Sequence, residues 1–498
     1  MEEYNNYIDK DYRLTIPISL LRIYHDKVDE YLKVIIEKDN KVDYFYLRIP
    51  LKSPSRKQTQ VRRKIPERII KNLNCKKDDK ITIKEIKLLK IKRAETPFKD
   101  KYFDLLYLFQ NNNIMCDLFF KNNEEWCRLW SSSKCGGITK EIEIKRFIPI
   151  NKETGEFFGL MQAESRKYGD KFDFTNIFLS EHKNFINGAE IIGIAKSMWK
   201  VGFIYNPHIS QEKIEKWKAN FLSELDLKFG YKAISQTVTT IAYSVYIDSK
   251  ILNHIMNLTL KEIRIQVTTE FKNNKNSYFM DFIKGFIIKD VLGDGTAIHT
   301  ISHNSLQIFI SEQDSISQRD ISAMLKECGI KSRIYKNHIY LSSDIFHCKW
   351  YFANDVFKGY LENRRRIVSH FVSHPYIKNF YKRFKDIEVI DENKFAGENY
   401  LSKNTARAFL RRNVKKEFLI KQKNKKGKII SFLLTEKGKS FLKLIESAII
   451  EENNLYQPLI LPIGESDRTG FEIPDNFNVS TTSGKNLYAA PASSASPL

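Results

Sequence analysis

Three carboxylates stand where they can act in pairs: Glu164, closing ETGEFFGLMQAES (Glu153 to Ser165), and Asp290 and Asp294, late in DFIKGFIIKDVLGDGTAI (Asp281 to Ile298). Each segment is apolar and reads as a helix with small residues, Gly159 and Ala163 in the first and Gly285 and Gly293 in the second. Gly159 and Ala163 are four apart and share one helix face, and a stripe of small residues lets two helices approach closely. Such packing sets the acid at the C-terminal end of one helix beside its counterpart on the other. Paired carboxylate oxygens are hard ligands of the kind Mg²⁺ prefers.

Cations form a second group. Between residues 400 and 447 the sequence reads as a helix LSKNTARAFLRRNVKK (Leu401 to Lys416) capped at Ser402, a strand EFLIKQ, a basic turn KNKKGK (Lys423 to Lys428), a strand IISFLLT, and a helix capped at Thr435. Arg407, Arg411 and Arg412 project from the first helix, and Lys423, Lys425, Lys426 and Lys428 crowd the turn. The chain as a whole agrees, because 82 Lys and Arg against 60 Asp and Glu leave a net charge of +22. That balance favours a polyanion, since each neutralised phosphate releases a counterion, and double-stranded DNA is the expected partner.

The elements that must position these groups follow from length and pattern. A chain of 498 residues with 42% hydrophobic residues builds several cores. Six cysteines without a CxxC pair point to a reducing cytosol rather than a disulfide framework or zinc module. The polar, acidic start MEEYNNYIDKDYR and the lack of any apolar run near 18 residues predict a cytoplasmic, nucleoid-associated protein with no membrane partner. Residues 1–95 alternate as a small β-domain (Tyr12 to Ile18, Tyr31 to Lys38, Tyr44 to Leu51), and 96–150 read as a lead-in with a Gly136-Gly137 break. Residues 151–275 and 276–385 hold the acid-bearing helices, 386–452 the basic helix and hairpin, and 453–498 a Ser-, Ala- and Pro-rich disordered tail. Strand-like KFDFTNIFL and SLQIFIS follow the two acid-bearing helices, with KVGFIYN and SRIYKNHIYLSS further on. His303-Asn304-Ser305 reads as a turn between strands and not as an intein splice junction, since no upstream splicing block is visible.

FFGLMQAES resembles the nine-residue LAGLIDADG signature of the homing-endonuclease family, and the second helix, about 130 residues later, repeats it. The resemblance spans about 230 residues and implies an α+β fold. Two αββαββα repeats would form a pseudo-twofold saddle, flanked by the β-domain and the C-terminal unit. It implies that Glu164 and Asp294, with Asp290 in support, bind Mg²⁺ or Mn²⁺ and cleave duplex DNA. Aligning on Gly285 selects Asp290 as the second acid, whereas aligning on VLGDGT selects Asp294, which is favoured because it stands just before the strand. This sequence departs from the signature at Gln162, Ser165 and Lys289; a lysine in the helix interface is hard to accommodate. Lys171, Lys200 and Lys336 are candidates for a catalytic lysine.

Two lesser resemblances flank this core. Residues 400–447 are similar to MarR-like winged helices, which place a helix in the major groove and a wing on the backbone. Arg63 to Ile86 resembles the strand, Pro-opened helix, turn and strand of AbrB-like swapped-hairpin DNA-binding domains, with Ser53 to Lys64 as a basic loop. The expected assembly is a monomer with a pseudo-twofold core, with dimerisation through the N-terminal domain as the alternative. The expected function is site-specific DNA binding with metal-dependent cleavage; the alternatives are a non-cleaving transcriptional regulator on the same scaffold and an RNA-binding or RNA-maturation role.

Overall fold

The computed structural model describes residues 4–17, 31–48, 60–89, 93–112, 114–132, 138–165, 169–236, 241–300, 305–354, 356–357, 361–387 and 389–456. The expected disordered tail beyond 456, the expected loop up to residue 59, Gly136, Gly137, His303 and Asn304 lie outside the described residues.

Alternation of apolar residues builds β1 (Tyr4–Tyr7), β2 (Arg13–Pro17), β3 (Tyr31–Lys38), β4 (Lys41–Arg48) and β5 (Gln60–Lys64). Then follow α1 (Glu67–Asn72), opened by Pro66, and β6 (Lys80–Leu88). Every second residue faces inward, so that Leu14, Ile16, Leu32, Val34, Ile36, Phe45, Ile81, Ile83 and Ile86 form one core. The strands order as β1-β6-β3-β4, with β2 and β5 a separate pair.

This order maps onto itself when β1, β2 and β3 exchange with β4, β5 and β6. The sequence carries the same duplication, RLTIP at Arg13 to Pro17 and RRKIP at Arg62 to Pro66. Its equivalent residues Leu14 and Arg63 face each other across the β2-β5 pair, and Arg13 opposite Lys64 mirrors Thr15 opposite Arg62. One chain thus supplies both halves of a pseudo-twofold body, and β2 and β5 find their partners without a second copy. We therefore expect light scattering of the purified full chain to return the 58.6 kDa monomer mass; a twofold mass that persists on dilution would contradict the expectation.

Residues 98–149 form β7 (Phe98–Lys99), β8 (Tyr102–Asp104), α2 (Leu105–Asn111), β9 (Cys116–Lys121), β10 (Glu124–Ser132), β11 (Ile138–Lys145) and β12 (Phe147–Pro149). They are built into the first body rather than leading away from it. Trp130 stacks on Tyr46 at 3.7 Å, Asp117 takes hydrogen bonds from Lys33 and Tyr46, and Arg68 bridges Asp43 and Glu141.

The next stretch runs α3 (Lys152–Glu164), β13 (Phe172–Asn176), α4 (Leu179–Ile191), β14 (Lys200–Tyr205), α5 (Gln211–Leu225), β15 (Lys228–Ile234), β16 (Ile241–Ile247) and α6 (Lys250–Asn274). Its sheet orders β13-β16-β14-β15. A single strand, not a hairpin, therefore follows α3, which departs from the expected repeat order. The cause is local: His182, Phe185, Ile186 and Ala189 are buried at helical spacing, so this segment forms a helix. After α7 (Ser277–Asp294) come β17 (Gly295–Thr300), β18 (Ser305–Ser311), α8 (Ser315–Glu327), β19 (Ser332–Tyr335), β20 (His338–Leu341), α9 (Ile345–Ala353) and α10 (Leu361–Ser373). Here two hairpins do flank a helix, in the order β17-β18-β20-β19.

The chain closes with α11 (Pro375–Phe384), β21 (Val389–Ile390), α12 (Glu392–Glu398), α13 (Lys403–Lys415), β22 (Leu419–Lys423), β23 (Ile429–Leu434) and α14 (Glu436–Tyr456), the strands ordered β21-β23-β22. Phe380, Phe384, Phe395, Phe418 and Phe441 are its buried centre. The fold is α+β, and among the described residues no helix is long and apolar enough to cross a membrane. Two compact units result: Met1–Phe203 with Leu222–Tyr231 and Tyr243–Lys289, and the remainder with Asp290–Leu498.

Candidate acid site and nucleic-acid interface

The cap of α3 is Asn151. The Asn151 side chain accepts from the Thr154 backbone N–H at 3.0 Å, and the Thr154 hydroxyl accepts from the Asn151 N–H at 3.3 Å, a reciprocal capping box that starts the helix at Lys152. Downstream, α3 and α7 touch backbone to backbone. A Cβ added at Gly155 would collide with the Phe282 carbonyl oxygen, one at Gly159 with that of Phe286, and one at Gly285 with that of Lys152. Sequence reasoning named Gly159 and Gly285 but missed Gly155, although its place four residues before Gly159 continues the small-residue stripe. Ala163 and Gly293 are both half-buried near the ends of their helices.

The departures from the signature have physical partners in the same unit. Gln162 accepts a hydrogen bond from Arg264 of α6, both side chains being buried. Lys289 fits beside Gly159 because its ammonium meets Glu181 of α4 at 2.7 Å, a buried ion pair that offsets the desolvation of both charges.

Glu164 is the last residue of α3, half-buried, with Asn176 at the end of β13 donating to its carboxyl at 3.1 Å. Burial pushes that carboxyl up to about 8, against the smaller lowering by Asn176, so it is largely protonated at neutral pH. Asp290 is fully buried within α7, whereas Asp294 ends the helix and is half-buried. A hard divalent ion needs ionised oxygens with room for retained waters. Among the described residues no three His, Cys, Asp or Glu come together as a metal-holding group. Among the described residues the acids of α3 and α7 therefore do not by themselves make up a resident site for Mg²⁺ or Mn²⁺.

The lysine candidates are engaged elsewhere. Lys171 and Lys200 reach Asp248 at 3.9 and 2.9 Å, and Lys171 also lies over the Tyr246 ring at 4.3 Å. Lys336 occupies the turn between β19 and β20 with φ +51°, its ammonium over Tyr335.

The cationic surface is built on α13. Ser402 caps it by accepting from the Thr405 N–H at 3.2 Å, and Ala406, Leu410 and Asn413 bury one face. Lys403, Arg407, Arg411 and Lys415 form an exposed row along the helix at intervals of four. Arg407 is held by Glu392 of α12 at 2.7 Å. Arg412 leaves this row, its guanidinium 5.4 Å over the Tyr376 ring. In the β22-β23 turn the Asn424 side chain accepts from the Lys426 and Lys428 N–H groups at 3.0 and 2.9 Å, and Gly427 takes φ +77°. That turn leaves Lys423, Lys425, Lys426 and Lys428 exposed together. Thr435 caps α14 by accepting from the Gly438 N–H.

No family model matches the chain, and no curated protein matches it. Among solved structures, the N-terminal LAGLIDADG domain of DUF199/WhiA is similar at 10% identity over 39% of this chain and 75% of that one, with a TM-score of 0.21. Full-length DUF199/WhiA from Thermatoga maritima is similar at 10% identity over 53% of this chain and 91% of that one, with a TM-score of 0.19. At such TM-scores neither likeness carries an argument about this chain.

Proposed function

We propose that this protein binds double-stranded DNA as a non-cleaving regulator, with α13 in the major groove and the β22-β23 turn on the backbone. The observation that carries this is the exposed row Lys403, Arg407, Arg411 and Lys415 along α13. The order α11-β21-α12-α13-β22-β23 supports a winged helix, in which this helix is the one offered to the groove. The Gly155, Gly159 and Gly285 crossing supports a LAGLIDADG-type scaffold in the same chain.

Salt titration of the full chain on a random-sequence duplex tests the reading. Replacing all four row cations by Gln is expected to flatten the slope of log affinity against log salt by roughly 2 to 3. An unchanged slope would show that this face meets another partner.

A second reading is metal-dependent cleavage, favoured by the fact that α3 and α7 each end on a carboxylate, Glu164 and Asp294. Incubation with a randomised duplex pool and Mg²⁺ separates the two. Intact duplex is expected; double-strand breaks that vanish in Glu164→Gln and Asp294→Asn would establish the nuclease.

A further inference from the structure

The cations of α13 differ in what they already touch. Arg411 is exposed and has no hydrogen-bond, ion-pair or ring partner among the described residues. It shares its side of the helix with exposed Asn404 and Ala408, at spacings of seven and three. These are residue types that meet base edges: arginine reaches guanine O6 and N7, asparagine reaches adenine N6 and N7, and alanine packs on the thymine methyl.

Arg412 and Lys416 make a different local structure. They are one helical turn apart with the same charge, and both lie over the Tyr376 ring, at 5.4 and 5.9 Å. The ring is fixed from below, since the Tyr376 hydroxyl donates to Asn413 at 2.5 Å. Burial first, and then Arg412, push the half-buried Lys416 ammonium below the usual lysine range, with Asp344 opposing them. His374, which also faces Arg412 and Asp344, caps α11 by accepting from the Tyr376 N–H at 3.1 Å. Like charges at this spacing repel, and an anion between them relieves that repulsion. The guanidinium fork and ammonium match the tetrahedral oxygens of a phosphate.

We propose that α13 sorts its cations by partner: Arg411 reads a guanine edge in the major groove, while Arg412 and Lys416, seated on the Tyr376 ring, hold a phosphate of the flanking backbone. The inference rests on the DNA-binding reading above and divides it into positioning and specifying contacts.

The test compares a duplex selected by the wild-type chain from a randomised pool with an unrelated duplex of equal length, by fluorescence anisotropy across a salt series. Arg412→Gln with Lys416→Gln is expected to weaken both duplexes by the same factor and to flatten the salt slope by about 2. Arg411→Ala is expected to weaken the selected duplex about tenfold or more and the unrelated one less than about twofold. Arg411→Lys keeps the charge without the fork, so it should restore unrelated binding fully and selected binding poorly. Thermal melting of each variant, expected at the wild-type temperature because the altered residues are exposed or half-buried, separates lost contacts from lost folding. An unchanged slope in the double variant overturns the phosphate site, and equal loss on both duplexes in Arg411→Ala overturns base reading. Wild-type protein that binds no duplex would sink the earlier reading itself.

Discussion

At pH 8.5 the Glu164→Gln variant is expected to be more stable than the parent by roughly 3 kcal/mol, whereas at pH 4 the two are expected to be equal. The sign follows from where the proton sits. Burial raises the folded-state carboxyl from the usual 4.5 to about 8. Below pH 4.5 folded and unfolded chains both hold the proton, and the residue is neutral to stability. Between 4.5 and about 8 the unfolded chain ionises while the folded one does not, so stability falls as pH rises; above 8 the full cost is present. Each pKa unit is worth about 1.4 kcal/mol, and the half-buried position of Glu164 reduces the full shift to roughly 3 kcal/mol. Glutamine keeps the carbonyl that Asn176 donates to and removes the titration. Urea unfolding of both proteins at a series of pH values measures the difference directly. A gap that stays constant with pH would show that Glu164 is solvated or ionised in the folded chain.

That carboxyl also shows which parts of the molecule local sequence could carry. Strands Tyr31–Lys38 and Ser305–Ser311 were readable to the residue because alternation and bounding turns are properties of neighbours along the chain. The Ser402 cap of α13 was legible for the same reason. What escaped depends on partners far away. Glu181, which neutralises Lys289, is 108 residues from it, so the lysine read as an obstacle to the helix crossing. Glu392 takes Arg407 out of the set of free cations, and no periodicity in α13 announces it. The buried state of the Glu164 carboxyl depends on β13 and Asn176, so the sequence placed an acid at the helix end without its protonation. The pseudo-twofold of the first body is a different omission: RLTIP and RRKIP are visible in the sequence, but only the β2-β5 register shows that they face each other.

The α3-α7 crossing yields the largest loss of stability. Gly155→Val and Gly159→Val are each expected to cost more than about 3 kcal/mol, because the new side chain must enter space held by a backbone carbonyl oxygen rather than by a yielding side chain. Accommodation requires the helices to separate, which also loosens Phe158 and Phe282, whose rings lie 6.2 Å apart at the same crossing. The decisive comparison is with alanine. In an open helical position Gly→Ala stabilises by about 0.5 to 1 kcal/mol, since alanine loses less backbone entropy on folding. Gly397, in α12, has nothing within 4 Å of an added Cβ, and Gly397→Ala should show that gain. Gly155→Ala and Gly159→Ala should show the opposite sign despite the same gain in helix propensity. Chemical denaturation of the three alanine variants measures this reversal. If all three stabilise, α3 and α7 do not touch through their backbones, and the scaffold proposed for the acid-bearing helices loses its physical basis while the α13 interface stands unaffected.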